Sequence, residues 1–292
     1  MLTGRDTELQ RLLAAISRDR SAAVLGPSGV GKTALAAALA GTLDPSRYFV
    51  VRAVGTEASR SVPFGALAEL VMGGDEPPDQ AFLMARIARE AARRAGGRAA
   101  VLVVDDAHLL DGPSAGAVLA LAAGRRARAV VTIRAGEPMP DAIRALWKDH
   151  DADRIELAPF DRAGTELLLA ELLGGVVAGP TVDLLYQWTG GNPLFLTELV
   201  RAGRSDDRLR IQAGIWWWHS DLTVPARLAE LLDRRVDGLR SDERDAVAAV
   251  ALGEPLAIEL LDAVGSAAVT ARLEDLAIIR TEETASGVTA RL

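Results

Sequence analysis

The segment Gly26-Pro27-Ser28-Gly29-Val30-Gly31-Lys32-Thr33 constrains this chain more than any other stretch. It has the spacing G-x-x-x-x-G-K-[ST]. An apolar run at 22–25 before it predicts a strand, and an alanine-rich run at 33–43 after it predicts a helix stopped by Asp44-Pro45. Glycines let successive backbone N–H groups turn inward around phosphate oxygens, and the start of the helix adds the positive end of its dipole. In such a loop Lys32 reaches the β- and γ-phosphates and Thr33 offers a hydroxyl to Mg2+. Pro27, Ser28, Gly29, Val30, Gly31, Lys32, Thr33 and Ala34 are therefore expected to hold ATP or ADP with magnesium. The bland reading is a glycine-rich strand-to-helix turn without a ligand.

Composition sharpens one of these positions. Basic residues are almost all arginine, and lysine stands only at Lys32 and Lys148. A narrow phosphate pocket calls for the compact ammonium rather than the wide guanidinium fork, which accounts for Lys32. Absence of cysteine excludes disulfides and thiolate metal sites, and three scattered histidines form no ligand cluster. The net charge of -7 disfavours direct DNA binding by this segment. No leader-like start and no uninterrupted apolar span is visible, so a cytoplasmic protein without membrane contact is expected.

Further strands are expected at 48–54, 99–104, 128–133 and 154–157, alternating with helices. That alternation predicts an α/β fold: a P-loop NTPase parallel sheet with helices on both faces and ligand loops at the strands' carboxyl ends. Helices at 162–173, 181–189 and 193–201 read as a helical lid. Residues 201–222, with Trp216, Trp217 and Trp218, read as irregular; three consecutive tryptophans cannot share one face, so at least one is expected in interdomain packing. A helix opened by Pro225, helices at 241–252, 255–264 and 266–276, and strands at 277–282 and 288–292 around Ala285-Ser286-Gly287 read as a winged-helix-like domain. The expected domains are thus 1–160, 161–203, a linker at 204–222, and 223–292. The last strand ends without a polar tail, which reads as a piece of a longer protein.

Asp105 and Asp106 close an apolar strand. The first is placed to hold a magnesium shell and the second to polarise an attacking water, or else the pair caps a turn or opens a solvated loop. Arg134 ends a strand at the same sheet edge, where it either senses a γ-phosphate or is one more solvated arginine. Lys32, Asp106 and Arg134 are the catalytic candidates, Thr33 and Asp105 the metal ligands. Gly191-Asn192-Pro193 explains itself as a helix start. His108, lacking a partner, reads as a loop or packing residue.

Taken in order, LTGRDTEL, LGPSGVGKTAL, VPFGALAEL, VLVVDDAHLLD, VVTIR and TGGNPLFLTEL resemble the nucleotide-binding region of the signal-transduction ATPases with numerous domains, an AAA+-related class, and within it the large LuxR-type transcriptional regulators of bacteria. The resemblance implies that Thr3, Gly4 and Arg5 lie at the adenine, that Pro193 touches the same base, and that Arg134 is the family's arginine after the fourth strand. It also implies a switch that holds ADP when closed and exchanges it for ATP when an inducer or partner protein binds. Such a switch then opens, often self-associates, and hydrolyses ATP slowly. Sensor repeats and a DNA-binding helix-turn-helix, which those regulators carry, are not visible here. The rival readings are a ring-forming AAA+ motor, a P-loop small-molecule kinase and an interaction scaffold with a degenerate site.

Overall fold

A computed structural model describes residues 3–71, 80–219, 238–276, 278–284 and 287–291. These form two compact units: Met1–Gly26 with Gly31–Ala158, and Pro27–Val30 with Pro159–Leu292.

The first unit is built on five strands, β1 (Ala22–Gly26), β2 (Tyr48–Val54), β3 (Ala99–Asp105), β4 (Arg128–Arg134) and β5 (Asp153–Glu156), in the order β2-β3-β4-β1-β5. All neighbours pair in parallel. The central strands are nearly continuous apolar runs because both faces are covered. Residues alternate between the faces. Leu25, Leu102, Val104, Val131 and Ile133 pack against Ile87 of α5 (Gln80–Ala95), Val118 and Leu121 of α6 (Gly112–Ala123), and Ile143 and Leu146 of α7 (Asp141–Lys148). On the other face α1 (Asp6–Ser17) and α2 (Lys32–Thr42) lie along β1, with α2 also reaching β3 and β4. There Leu12, Ile16, Leu35 and Leu39 are fully buried, each contributing about 1.5–3 kcal/mol relative to exposure. Two short helices, α3 (Glu57–Arg60) and α4 (Ala68–Val71), follow β2. This is the expected P-loop NTPase-like fold, with β1 between β4 and the edge strand β5, so that the loop after β1 opens at the sheet's carboxyl edge one strand in from its side.

In the second unit α8 (Arg162–Leu173), α9 (Gly179–Thr189) and α10 (Pro193–Ser205) form the expected helical segment. Two begin with a side-chain cap: Asp161 accepts from Gly164 N–H to cap α8, and Asn192 accepts from Leu194 N–H to cap α10. Within the stretch at 201–222, expected to be irregular, lie β7 (Leu209–Gln212) and β8 (Ile215–Trp218), an antiparallel pair extended by β6 (Val176–Val177). The tryptophans alternate along β8. Trp216 and Trp218 pack onto the core of α8, α9 and α10, and Trp216 Nε1 donates to the Leu173 carbonyl at 3.1 Å. Gly203 is required beneath Trp218, because a Cβ there would lie 2.5 Å from the ring.

Helices α11 (Ser241–Gly253), α12 (Ile258–Gly265) and α13 (Ala267–Asp275) follow, with a sheet of β9 (Leu256–Ala257), β10 (Arg280–Thr284) and β11 (Gly287–Arg291) in the order β10-β11-β9. The helix expected from Pro255 starts only at Ile258, since Leu256 and Ala257 pair with β11. The expected strands at 277–282 and 288–292 are shifted to 280–284 and 287–291. Glu243 is fully buried and held by Arg240 at 2.9 Å and Arg272 at 2.6 Å, which tie the start of α11 to α13. The expected helix at Pro225, the turn residues Ala285 and Ser286, and Ala277 and Leu292 lie outside the described residues.

Candidate functional site

The loop after β1 turns on two glycines in left-handed backbone, Gly29 at φ 79° and Gly31 at φ 98°. Gly31 is the residue before α2, and a Cβ there would meet nothing within 4 Å, so its glycine answers to conformation rather than crowding. Lys32 opens α2 and is 7% exposed, its ammonium donating to the Gly26 carbonyl at 2.8 Å. Burial pulls its pKa down to about 8, against the pull of Asp106 and Asp105 in the other direction; Arg134 lowers it further. A buried ammonium held short of full solvation gains the most from an incoming anion.

Thr33 donates its hydroxyl to Asp105 Oδ2 at 2.7 Å. The other carboxylate oxygen, Oδ1, accepts from the Thr132 hydroxyl at 2.5 Å. Thr132 Oγ1 in turn accepts the Asp106 N–H at 2.9 Å. One fully buried hydroxyl on β4 thus fixes the direction of Asp105 and the turn into Asp106. Thr132 was not among the expected site residues. Its signal was a lone polar side chain inside the apolar run at 128–133, which only the neighbouring strand explains.

Asp106 sits in left-handed backbone, φ 49° and ψ 47°, uncommon for a residue with a Cβ. Gly55 makes room for that turn, since a Cβ on it would lie 2.3 Å from the Asp106 carbonyl. Desolvation, then the neighbouring Asp105, raises the Asp106 pKa, opposed by Lys32 and Arg134. Asp106 Oδ1 is 3.9 Å from His108 Nδ1. His108, 4% exposed, takes the Arg134 N–H on that same nitrogen at 3.5 Å. Burial, with Arg134 next, lowers its pKa to about 4, so it is a neutral acceptor at pH 7. The lone histidine is thus a packed residue beside the two charged candidates. Arg134 is 42% exposed, with Glu137 3.9 Å away.

Lys32, Thr33, Asp105, Asp106 and Arg134 therefore gather at one edge of the first unit. At the start of the chain Arg5 is buried, donating to Glu8 at 3.1 Å and to the Ala158 carbonyl at 2.5 Å. Thr3 is half-buried, Gly4 is exposed at φ 67°, and Ala34 is exposed in the first turn of α2. Pro27, Ser28, Gly29 and Val30 group with the second unit, as does Pro193, the first residue of α10. There Asn192, read from the sequence only as part of a helix start, also donates its amide to the Ser28 carbonyl at 2.9 Å.

The family model of the AAA ATPase domain matches residues 1–133. Residues 1–133 are thus similar to AAA ATPase domains, in keeping with the P-loop NTPase-like fold. No curated protein matches the chain. Among solved structures, a Walker-type ATPase of Pyrococcus abyssi is similar at a TM-score of 0.58 and 14% identity, over 100% of this chain and 93% of that one. RuvB of Thermotoga maritima, in its R170A form, is similar at 0.51 and 14%, over 98% and 92%. A signal transduction ATPase with numerous domains and a tetratricopeptide repeat sensor, from Pyrococcus horikoshii, scores 0.45 at 17% identity, over 100% of this chain and 41% of that one. At such identities the likeness is one of fold. Within the first unit, β3 and β4 end on the candidate residues Asp105 and Arg134, and β1 leads into the glycine loop. Among the described residues, no helix is long and apolar enough to cross a membrane.

Proposed function

We propose that this chain is an ATP/ADP-binding regulatory switch with slow ATP hydrolysis, the nucleotide-binding region of a signal-responsive transcriptional regulator of the LuxR type. The observation that carries the nucleotide part is the 2.7 Å contact between the Thr33 hydroxyl and Asp105 beside the buried Lys32. Thr33 and Asp105 supply two hard oxygens at the mouth of the loop. Among the described residues no group of three or more His, Cys, Asp or Glu could hold a metal alone. A site of one carboxylate, one hydroxyl and phosphate oxygens suits magnesium, which keeps waters and binds through few carboxylates. When bound, the ion would neutralise charge on the phosphates.

The loop amides and Lys32 bind the triphosphate, and Arg134 meets charge developing at its γ end. Asp106 takes a proton from a water whose oxygen attacks the γ-phosphorus, the bond to the β–γ bridging oxygen breaks, and ADP is left in place. Its raised pKa favours that role. An aspartate is shorter than a glutamate and holds the water from further away, which supports slow turnover. Thr3, Gly4 and Arg5 at the base, and Pro193 from α10, complete the proposed nucleotide contacts; Arg5 serves by fixing the turn at Thr3-Gly4. The elements after Ser241 fit a winged-helix-like module.

The test is to denature the purified chain and chromatograph the released nucleotide, with turnover and oligomeric state measured alongside. Retained ADP with slow release of phosphate to water is expected. Rapid turnover by an ATP-dependent hexamer contradicts the switch in favour of a motor, and transfer to an added metabolite in place of water contradicts it in favour of a kinase.

A further inference from the structure

Within the second unit, the loop residues Pro27–Val30 are gripped from one side by the start of α10. Asn192, 4% exposed, uses both ends of its amide: Oδ1 accepts the Leu194 N–H at 3.1 Å, and Nδ2 donates to the Ser28 carbonyl at 2.9 Å. The Leu194 N–H also reaches the Gly29 carbonyl at 3.3 Å. Two consecutive loop carbonyls are thus drawn toward the same helix end. In a trans peptide the C=O and the following N–H point in opposite directions. Drawing the carbonyls of Ser28 and Gly29 toward α10 therefore turns the N–H groups of Gly29 and Val30 away from it. Gly29 makes the approach sterically possible, since a Cβ there would lie 2.7 Å from Asn192 Oδ1 and 2.9 Å from Leu194 Cβ.

We propose that Asn192 is a phosphate-positioning residue, whose amide bond to the Ser28 carbonyl holds the loop's peptide planes so that the Gly29 and Val30 amides face the phosphates of ATP. The proposal rests on the reading of this loop as an ATP site. It gives Asn192 a function that its role as a helix cap does not require, because serine, threonine or aspartate would cap α10 as well. Without that bond the Ser28–Gly29 peptide is free to rotate, and ATP must fix it again on binding.

Asn192→Ser separates the two roles. The hydroxyl can still cap α10, but it is too short to donate to Ser28. ATP affinity of the full chain is expected to fall roughly tenfold, the worth of one positioned hydrogen bond, with KM rising in step and kcat changing less than about twofold. The ligand-free melting temperature should fall only by the loss of that one buried hydrogen bond, with the cap of α10 kept. Hydrogen exchange should show ATP protecting the Gly29 and Val30 amides in the wild type but not in the variant. Asn192→Ala, which loses the cap as well, should lower the melting temperature further. Wild-type affinity and wild-type amide protection in Asn192→Ser overturn the proposal, as does a loss confined to kcat. A wild-type chain that binds no ATP overturns the reading of the site beneath it, a result distinct from either.

Discussion

Lys32 and Asp106 make opposite demands on pH. In the free protein the ammonium of Lys32 has a pKa of about 8, and phosphate oxygens beside it raise that value in the complex. Below pH 8 the free chain already carries the proton that ATP needs; above it, binding must take up a proton from water. ATP affinity is therefore expected to hold from pH 7 to 8 and to decline as pH rises from about 8 to 10, by up to about tenfold per unit. Titrations at fixed magnesium and ionic strength check this; affinity flat to pH 10 would remove Lys32 from contact with the phosphates. Asp106→Asn should leave ATP affinity within about threefold and lower kcat by a hundredfold or more, in the range of a lost general base. Single-turnover release of phosphate measures it, and equal turnover would leave Asp106 as a turn residue whose backbone N–H meets Thr132.

Elements that were legible in the sequence are those whose pattern follows from burial. Strands β1, β3 and β4 are covered on both faces, so their apolar runs predicted them within a residue or two, and the loop glycines marked the turn into α2. What escaped was set by distant partners. Strands β7 and β8 are only four residues each; the alternation of Leu209-Arg210-Ile211-Gln212 is too short to stand out and the tryptophan run has none, and the pair forms because Trp216 and Trp218 have the core of α8, α9 and α10 to cover. Leu256 and Ala257 pair with a strand some thirty residues later, which no local propensity reports. Asp105 and Thr132 are likewise brought together by the β3–β4 pairing, not by spacing. The small hairpin gives its own test. Gly203→Ala should force the Trp218 ring aside and cost about 1–3 kcal/mol, read as a lower urea midpoint together with altered tryptophan fluorescence. An unchanged midpoint would mean that the ring does not lie on Gly203.

At the scale of the whole molecule, the sheet of the first unit delivers Lys32, Thr33, Asp105, Asp106 and Arg134 to one edge; within the second unit, Asn192 of the α10 start holds the Ser28 carbonyl. A chain with only two lysines keeps one of them buried at that loop, where its ammonium meets the Gly26 carbonyl. Calorimetric titration of the nucleotide-free full chain with ATP and Mg2+, beside Lys32→Ala, asks directly whether the loop's ligand is ATP. The account predicts one site per chain in the wild type and an affinity lower by about ten- to a hundredfold in the variant, the worth of one charge-assisted contact. Equal affinities in the two proteins, or no binding to either, would contradict it.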